Sequence, residues 1–183
     1  MFIGHFGAGF GAKSVAPAIS LGTLFLAAQF IDLLWPTLLL LGLEHVSIVP
    51  GATAVTPLVF DHYPISHSLL AVAGWGLLIG AVYFLLRKNS KGAIVLGLLV
   101  LSHWVLDLIV HQPDLPIYPG SMLLGMNVWS SLVLTLILEL GLLGAGVWMY
   151  VRSTRALDAQ GRWGLWGLVA FLLLIHFGNM FGD

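Results

Sequence analysis

Five long apolar runs constrain this chain more than any other feature of its sequence. A helix needs about 20 mostly apolar residues to cross a bilayer, because the hydrocarbon core is about 30 Å thick and a helix rises about 1.5 Å per residue. The runs are Ser14 to Leu34, Ser66 to Leu86, Ala93 to Val110, Val128 to Val151 and Trp163 to Met180. Their continuity and leucine content favour helices over the alternating strands of a membrane barrel. The sequence predicts an all-α polytopic bundle of about five transmembrane helices, forming one integral membrane domain over residues 1–183.

The composition agrees with a membrane protein and excludes several other classes. Hydrophobic residues make up 59% of the chain and charged residues 8%, whereas an ordinary soluble domain has about 25% charged residues. Seven Lys and Arg against eight Asp and Glu leave a net charge of -1. Because no basic surface is available to neutralise phosphates, we expect no nucleic acid as a partner. The apolar composition predicts the lipid bilayer as the partner instead. The chain has no Cys, which excludes thiolate catalysis and Cys-ligated zinc.

The basic residues predict how the bundle is oriented, since Lys and Arg in short loops stay on the cytoplasmic side. A five-span topology places all of them on one side, at Lys13, Arg87 to Lys91 and Arg152 to Arg162. Residues 43–65 and 111–127 contain no Lys or Arg. These two segments are therefore expected to face outward.

Histidines and aspartates gather at this outward side. Ionisable groups at membrane depth are costly, so they pair, line water or bind a ligand. Several fall in or near the outer parts of the first three spans: Asp32, Asp61, His62, His67, His103, Asp107 and His111. A metal-centred site would account for all of them together.

The spacing in the third span is the most informative part of this pattern. His103, Asp107 and His111 are four residues apart, which places neighbours about 6 Å apart along one helical face. Such a row can ligate one divalent ion or two nearby ions. Alternatively, Asp107 pairs with one histidine only to neutralise itself in the bilayer.

Ser66 is expected to cap the second span, which would hold His67 rigidly in its first turn.

The last two spans carry isolated polar residues of less certain role. Glu139 near the middle of the fourth span and His176 in the fifth are close enough in depth to hydrogen-bond each other or to support metal ligands. Glu139 is alternatively a general base, or a neutral side chain packed against a helix.

The residues Glu44, His45, Asp114 and Asn179 are expected to be loop or cap residues.

Four segments resemble a known family: GHFGAGFGAK, FIDLLWP, a His pair five apart that ends in HSLL, and SHWVLDL. They are similar to the bacterial membrane-bound metal-dependent hydrolases, which are distantly similar to zinc-dependent phospholipases C. The resemblance covers about residues 1–115 and implies a bacterial inner-membrane location. It implies metal ligation by His5, Asp32, His62, His67, His103 and Asp107.

His5 adds a geometric condition to that implied ligand set. If the first span were one helix from the N-terminus, His5 and Asp32 would be about 40 Å apart. They can share a site only if the chain reverses near Lys13 to Pro17, so that Phe2 to Ala12 forms a half-helix rising back into the bundle. The alternative is a mobile N-terminus at the interface.

The leading hypothesis is a metal-dependent hydrolase that uses Zn2+ or another divalent ion to activate water against a phosphoester or acyl substrate. Asp32 or Asp107 would be the catalytic proton acceptor. A lipid-like substrate is expected because the cluster lies at the depth of lipid headgroups. The alternatives are a non-catalytic metal-binding protein, a permease-like ion or proton relay, and a haem protein.

Overall fold

The computed structural model describes residues 1–181 and is built mainly from helices. The helices are α1 (Ile3–Val15), α2 (Leu21–Ala28), α3 (Phe30–Leu40), α4 (Pro64–His67), α5 (Leu69–Arg87), α6 (Ser90–Val110), α7 (Leu132–Ser153) and α8 (Ala159–Phe181). Two short antiparallel pairs join β1 (His45–Ile48) to β2 (Leu58–His62) and β3 (Leu115–Pro116) to β4 (Leu123–Leu124). The predicted all-α bundle is confirmed.

Four of these helices, α5 to α8, are long and apolar enough to cross a membrane. The consecutive helices α2 and α3, which are bent by 52° to each other, also qualify as a span when they are taken together. The prediction of about five spans is therefore confirmed, and the protein is a multi-pass membrane protein. The first span runs over residues 21–40 rather than 14–34, because α1 continues to Val15 and the chain turns before Ser20 caps α2.

The N-terminal helix α1 is a half-helix inside the bundle, not a mobile terminus. Its residues Ile3, His5 and Phe10 are fully buried. It packs against α7 so closely that a Cβ on Gly7 or on Gly146 would overlap the backbone of the other helix. Glycines permit this approach, as small residues do at helix contacts in membranes. As a result, the first residues of the chain reach the interior of the bundle.

The hairpin of β1 and β2 lies over the end of the bundle where α6 ends and α7 begins. The backbone of its loop donates from Ala54 to the carbonyl of Trp129 at 3.0 Å. The side chain of Gln112 donates to the carbonyl of Ala52 at 3.1 Å. The hairpin loop is thus held against the connection between α6 and α7.

Candidate metal centre

Four side chains from three helices meet inside the bundle. The Nε2 atom of His103 lies 3.1 Å from Asp107 Oδ2 and 3.4 Å from Asp32 Oδ1. The Nε2 atom of His67 lies 3.8 Å from each of the same two oxygens. His67, His103 and Asp107 are buried, whereas the side chain of Asp32 is 37% exposed. The two nitrogens and the two oxygens therefore lie close together, and Asp32 is the most exposed of the four residues.

The backbone break in the first span orients His103. Since α2 ends at Ala28 and α3 begins at Phe30, the helical hydrogen-bond pattern is interrupted at membrane depth, where backbone groups need partners. The Nδ1 atom of His103 lies 2.9 Å from the carbonyl oxygen of Ala28. A carbonyl only accepts, so Nδ1 carries a proton, and in the neutral form of the ring the lone pair is then at Nε2.

That lone pair faces carboxylate oxygens, which also carry lone pairs. Although His103 Nε2 is within 3.4 Å of both oxygens, it has no partner of hydrogen-bond geometry within the described chain. A cation among these atoms would remove the conflict between the donor lone pairs. The arrangement is therefore suited to a metal ion.

The histidine His67 is oriented by a chain of hydrogen bonds through Ser66 to Glu44. Ser66 Oγ lies 2.6 Å from Glu44 Oε2 and 2.7 Å from His67 Nδ1. The carboxylate accepts the single hydroxyl proton, so His67 Nδ1 donates to Ser66 and its Nε2 presents a lone pair to the site. Burial lowers the pKa of His67, which favours this neutral form.

Glu44 itself is buried, and its other oxygen accepts the backbone N–H groups of Ile65 and Ser66, each at 2.8 Å. Glu44 is therefore a loop residue that caps the first turn of α4, as expected, but its contact with the hydroxyl of Ser66 was not predicted. The expected cap of the second span is wrong, because Ser68 and not Ser66 accepts from the start of α5. Ser66 is free to orient His67 for this reason.

The carboxylate oxygen Oδ1 of Asp107 connects this residue to α1. His5 Nε2 lies 3.1 Å from Asp107 Oδ1, and the nitrogen of Met1 lies 2.6 Å from the same oxygen. The rings of His5 and His103 stack with centroids 3.8 Å apart. His5 therefore reaches the centre. It donates to Oδ1 of Asp107, whereas His67 and His103 face Oδ2.

The position of α1 is fixed by Glu139 of α7, which is buried. Its Oε1 accepts the backbone N–H of Phe2 at 2.8 Å, and its Oε2 accepts that of Gly4 at 2.7 Å. A carboxylate at a helix N-terminus satisfies unpaired N–H groups and interacts favourably with the helix dipole. Glu139 is thus the cap of α1, a role that the sequence reading did not include.

Several residues of the polar pattern lie outside this centre. His62 and Asp61 are exposed on β2, where His62 is paired with His45 across the hairpin and Asp61 accepts from Ser47. The structure does not bring His62, one of the ligands implied by the resemblance, to the other five. The side chain of His111 also lies outside the candidate metal centre.

His111 belongs to a neighbouring aromatic and polar group. Its Nδ1 lies 3.0 Å from Asp114 Oδ1, and the hydroxyl of Tyr63 donates to the same oxygen at 2.7 Å. Burial and the nearby carboxylate of Asp114 raise the pKa of Tyr63, which keeps its hydroxyl protonated. The regular spacing of His103, Asp107 and His111 therefore describes a shared face but not a shared site.

The structure offers two overlapping sets of three donors, His5 with His103 and Asp107, and Asp32 with His67 and His103. His103 has only Nε2 to offer, because its Nδ1 is bound to a carbonyl. Atoms bound to one tetrahedral zinc at about 2.0–2.2 Å are about 3.3–3.6 Å from each other. The nitrogen–oxygen distances of 3.1, 3.4 and 3.8 Å among Asp32, His67, His103 and Asp107 bracket this range. These four distances are therefore compatible with one ion.

Comparisons of this chain with protein-family models, with curated proteins and with solved structures find no match.

Proposed function

We propose that the protein is a membrane-bound metal-dependent hydrolase whose metal, Zn2+ in the first instance, is held by Asp32, His67, His103 and Asp107. The observation that carries the proposal is the meeting of two imidazole Nε2 atoms and two carboxylate oxygens, with each nitrogen 3.1–3.8 Å from both oxygens. Imidazole and carboxylate together suit borderline and hard divalent ions, and they do not suit a haem iron.

When bound, such an ion lowers the pKa of its water toward neutrality and polarises a phosphoryl or acyl oxygen. Asp32 is the better placed of the two proposed catalytic aspartates, because its side chain is 37% exposed and faces the cavity beside the centre. We assign it acceptance of the proton from water. Asp107 is buried with both oxygens engaged, and we assign it the role of ligand.

The proposed substrate is a phosphoester or acyl compound of lipid-like character. Support comes from the cavity that adjoins Asp32 and His67, whose walls include the aromatic rings of Trp35, Phe60 and Trp129. The resemblance of the first 115 residues to membrane-bound metal-dependent hydrolases is part of the same proposal. So is a location in the bacterial inner membrane, with the basic loops cytoplasmic and the centre toward the outer face.

A hydrolysis assay tests the proposal directly. Detergent-purified protein is stripped with a chelator, reloaded with Zn2+ and offered a fluorogenic phosphodiester and a fluorogenic carboxylic ester. We expect the reloaded protein to hydrolyse one of them, and His67→Ala to be inactive. His62→Ala is the matched control, because His62 is exposed on the hairpin, and it should remain active.

If the zinc-loaded wild type hydrolyses neither compound faster than His67→Ala does, the result would contradict a hydrolase. Zinc binding without turnover would instead support the alternative, a non-catalytic metal-binding membrane protein.

The orientation of His67 gives a separate prediction. Glu44→Gln replaces the acceptor of the Ser66 proton with an amide, and Ser66→Ala removes the link to His67 Nδ1. Since partners that orient a metal-binding histidine are worth about 10–100-fold in affinity, we expect each variant to weaken zinc binding by about that factor. Competition with a chromophoric chelator measures the change.

The matched control is Ser47→Ala, which removes a hydroxyl that contacts Asp61 on the exposed hairpin. It should bind zinc as the wild type does. Unchanged affinity in Ser66→Ala would show that the hydroxyl does not position His67.

A further inference from the structure

A cavity of about 510 Å³ extends from the metal centre toward α8. Asp32 and His67 line it on one side, and Glu139 and His176 line it on another. Part of the wall is the hairpin loop from Val55 to Leu58. The cavity has the size of a small-molecule binding site, since such sites are about 300–1,000 Å³.

The charges around this cavity are unusual for a site that binds anions. Within the described chain, its wall contains neither Lys nor Arg. The seven basic residues lie instead near the end of α1 and at the two helix junctions, where α5 meets α6 and where α7 meets α8. The charges of Asp32 and Asp107 would balance one divalent ion, and Glu139 on the wall offsets the amino group of Met1, which lies 2.6 Å from Asp107 Oδ1. Each negative charge on a ligand is therefore desolvated here without a side-chain counter-charge, so a dianion is disfavoured more strongly than a monoanion.

His176 provides a polar group on the wall formed by α8. It is buried at 3% exposure, and its Nε2 has no hydrogen-bond partner among residues 1–181. Its ring stacks on Phe2 with centroids 6.3 Å apart. Leaving a buried polar atom unpaired costs free energy, so a ligand group that pairs with it gains affinity. A hydroxyl suits either tautomer of the ring, because it both donates and accepts.

We propose that this cavity selects an amphiphile with no more than one negative charge, and that His176 hydrogen-bonds a hydroxyl of its headgroup. The charged group lies at the metal centre, and the hydroxyl lies at α8. The aromatic and apolar walls adjoin the rest of the molecule. This inference rests on the metal centre of the proposed function but does not require turnover.

Ligand binding to the protein loaded with Co2+ tests the proposal, because the visible spectrum of Co2+ reports changes at the metal. The first pair of probes shares one chain length: hexadecyl phosphate, a dianion at pH 8, and methyl hexadecyl phosphate, a monoanion. We expect the monoanion to bind at least about tenfold more tightly. Equal binding, or tighter binding of the dianion, would overturn the charge selection.

The second pair of probes tests His176. 2-Hydroxyethyl hexadecyl phosphate adds a hydroxyl to the monoanion, and the wild type should bind it about five to ten times more tightly than the methyl ester. His176→Phe keeps the stacking on Phe2 but should lose this preference, whereas Leu174→Ala, at an exposed position of α8, should retain it. A preference that persists in His176→Phe, or is absent from the wild type, would overturn the subsite.

The outcomes separate the two proposals. Failure of the wild type to bind Co2+ overturns both. Binding of Co2+ without discrimination among the three phosphates overturns only the inference. If His176→Phe does not fold, His176→Leu, which also lacks a hydrogen-bonding group, replaces it, and the wild-type comparison remains decisive by itself.

Discussion

Asp107→Asn is expected to weaken metal binding by more than about 100-fold. The two oxygens of Asp107 have different partners, since Oδ2 faces His67 and His103 while Oδ1 receives His5 and Met1. An amide has one oxygen and no negative charge, so it cannot serve both sides. Loss of a ligand exceeds the loss of about 10–100-fold that follows from removing a supporting residue. Metal content after dialysis measures the effect.

Asp61→Asn is the matched control for this experiment, because Asp61 is an exposed aspartate on the hairpin outside the centre. It should retain metal, and both variants should elute as folded protein on size exclusion. Retention of the ion by Asp107→Asn at wild-type affinity would contradict the ligand assignment.

Glu139→Leu is expected to destabilise the bundle by about 2–5 kcal/mol, because two backbone N–H groups at the start of α1 lose their acceptor. The released α1 would also withdraw His5 from Asp107. We therefore expect a lower thermal unfolding midpoint in detergent, together with weaker metal binding. Glu139→Gln keeps one acceptor oxygen and should fall between the wild type and Glu139→Leu.

Ile137→Ala controls for truncation on α7, since Ile137 is exposed on the bundle surface. It should unfold at nearly the wild-type temperature and bind metal normally. A Glu139→Leu protein with unchanged midpoint and affinity would show that Glu139 does not hold α1 in place.

The spans were predictable from sequence because hydrocarbon thickness alone sets their length. The bend at Gln29 was not, since the run from Leu21 to Leu40 is apolar on both sides of the break. The half-helix α1 was one of two alternatives. Its burial depends on close contact between Gly7 and Gly146, which lie 139 positions apart and have no local signature.

The pair His103 and Asp107 was predictable because four-residue spacing on a helix is local geometry. His62 and His67 are only five positions apart, yet they separate because one ends a strand and the other ends α4. The contact of Glu139 with the backbone of Phe2 and Gly4 was not predictable, because backbone N–H groups have no sequence signature. Glu44 reaches Ser66 only through folding of the hairpin between them.

The most direct test of the account is elemental analysis of detergent-purified protein, expressed without a histidine tag, beside His103→Ala. We expect about one divalent ion per wild-type chain and none in the folded variant. Wild-type protein that is folded but metal-free, and that stays metal-free after Zn2+, Mn2+ and Co2+ are supplied, would contradict the metal centre.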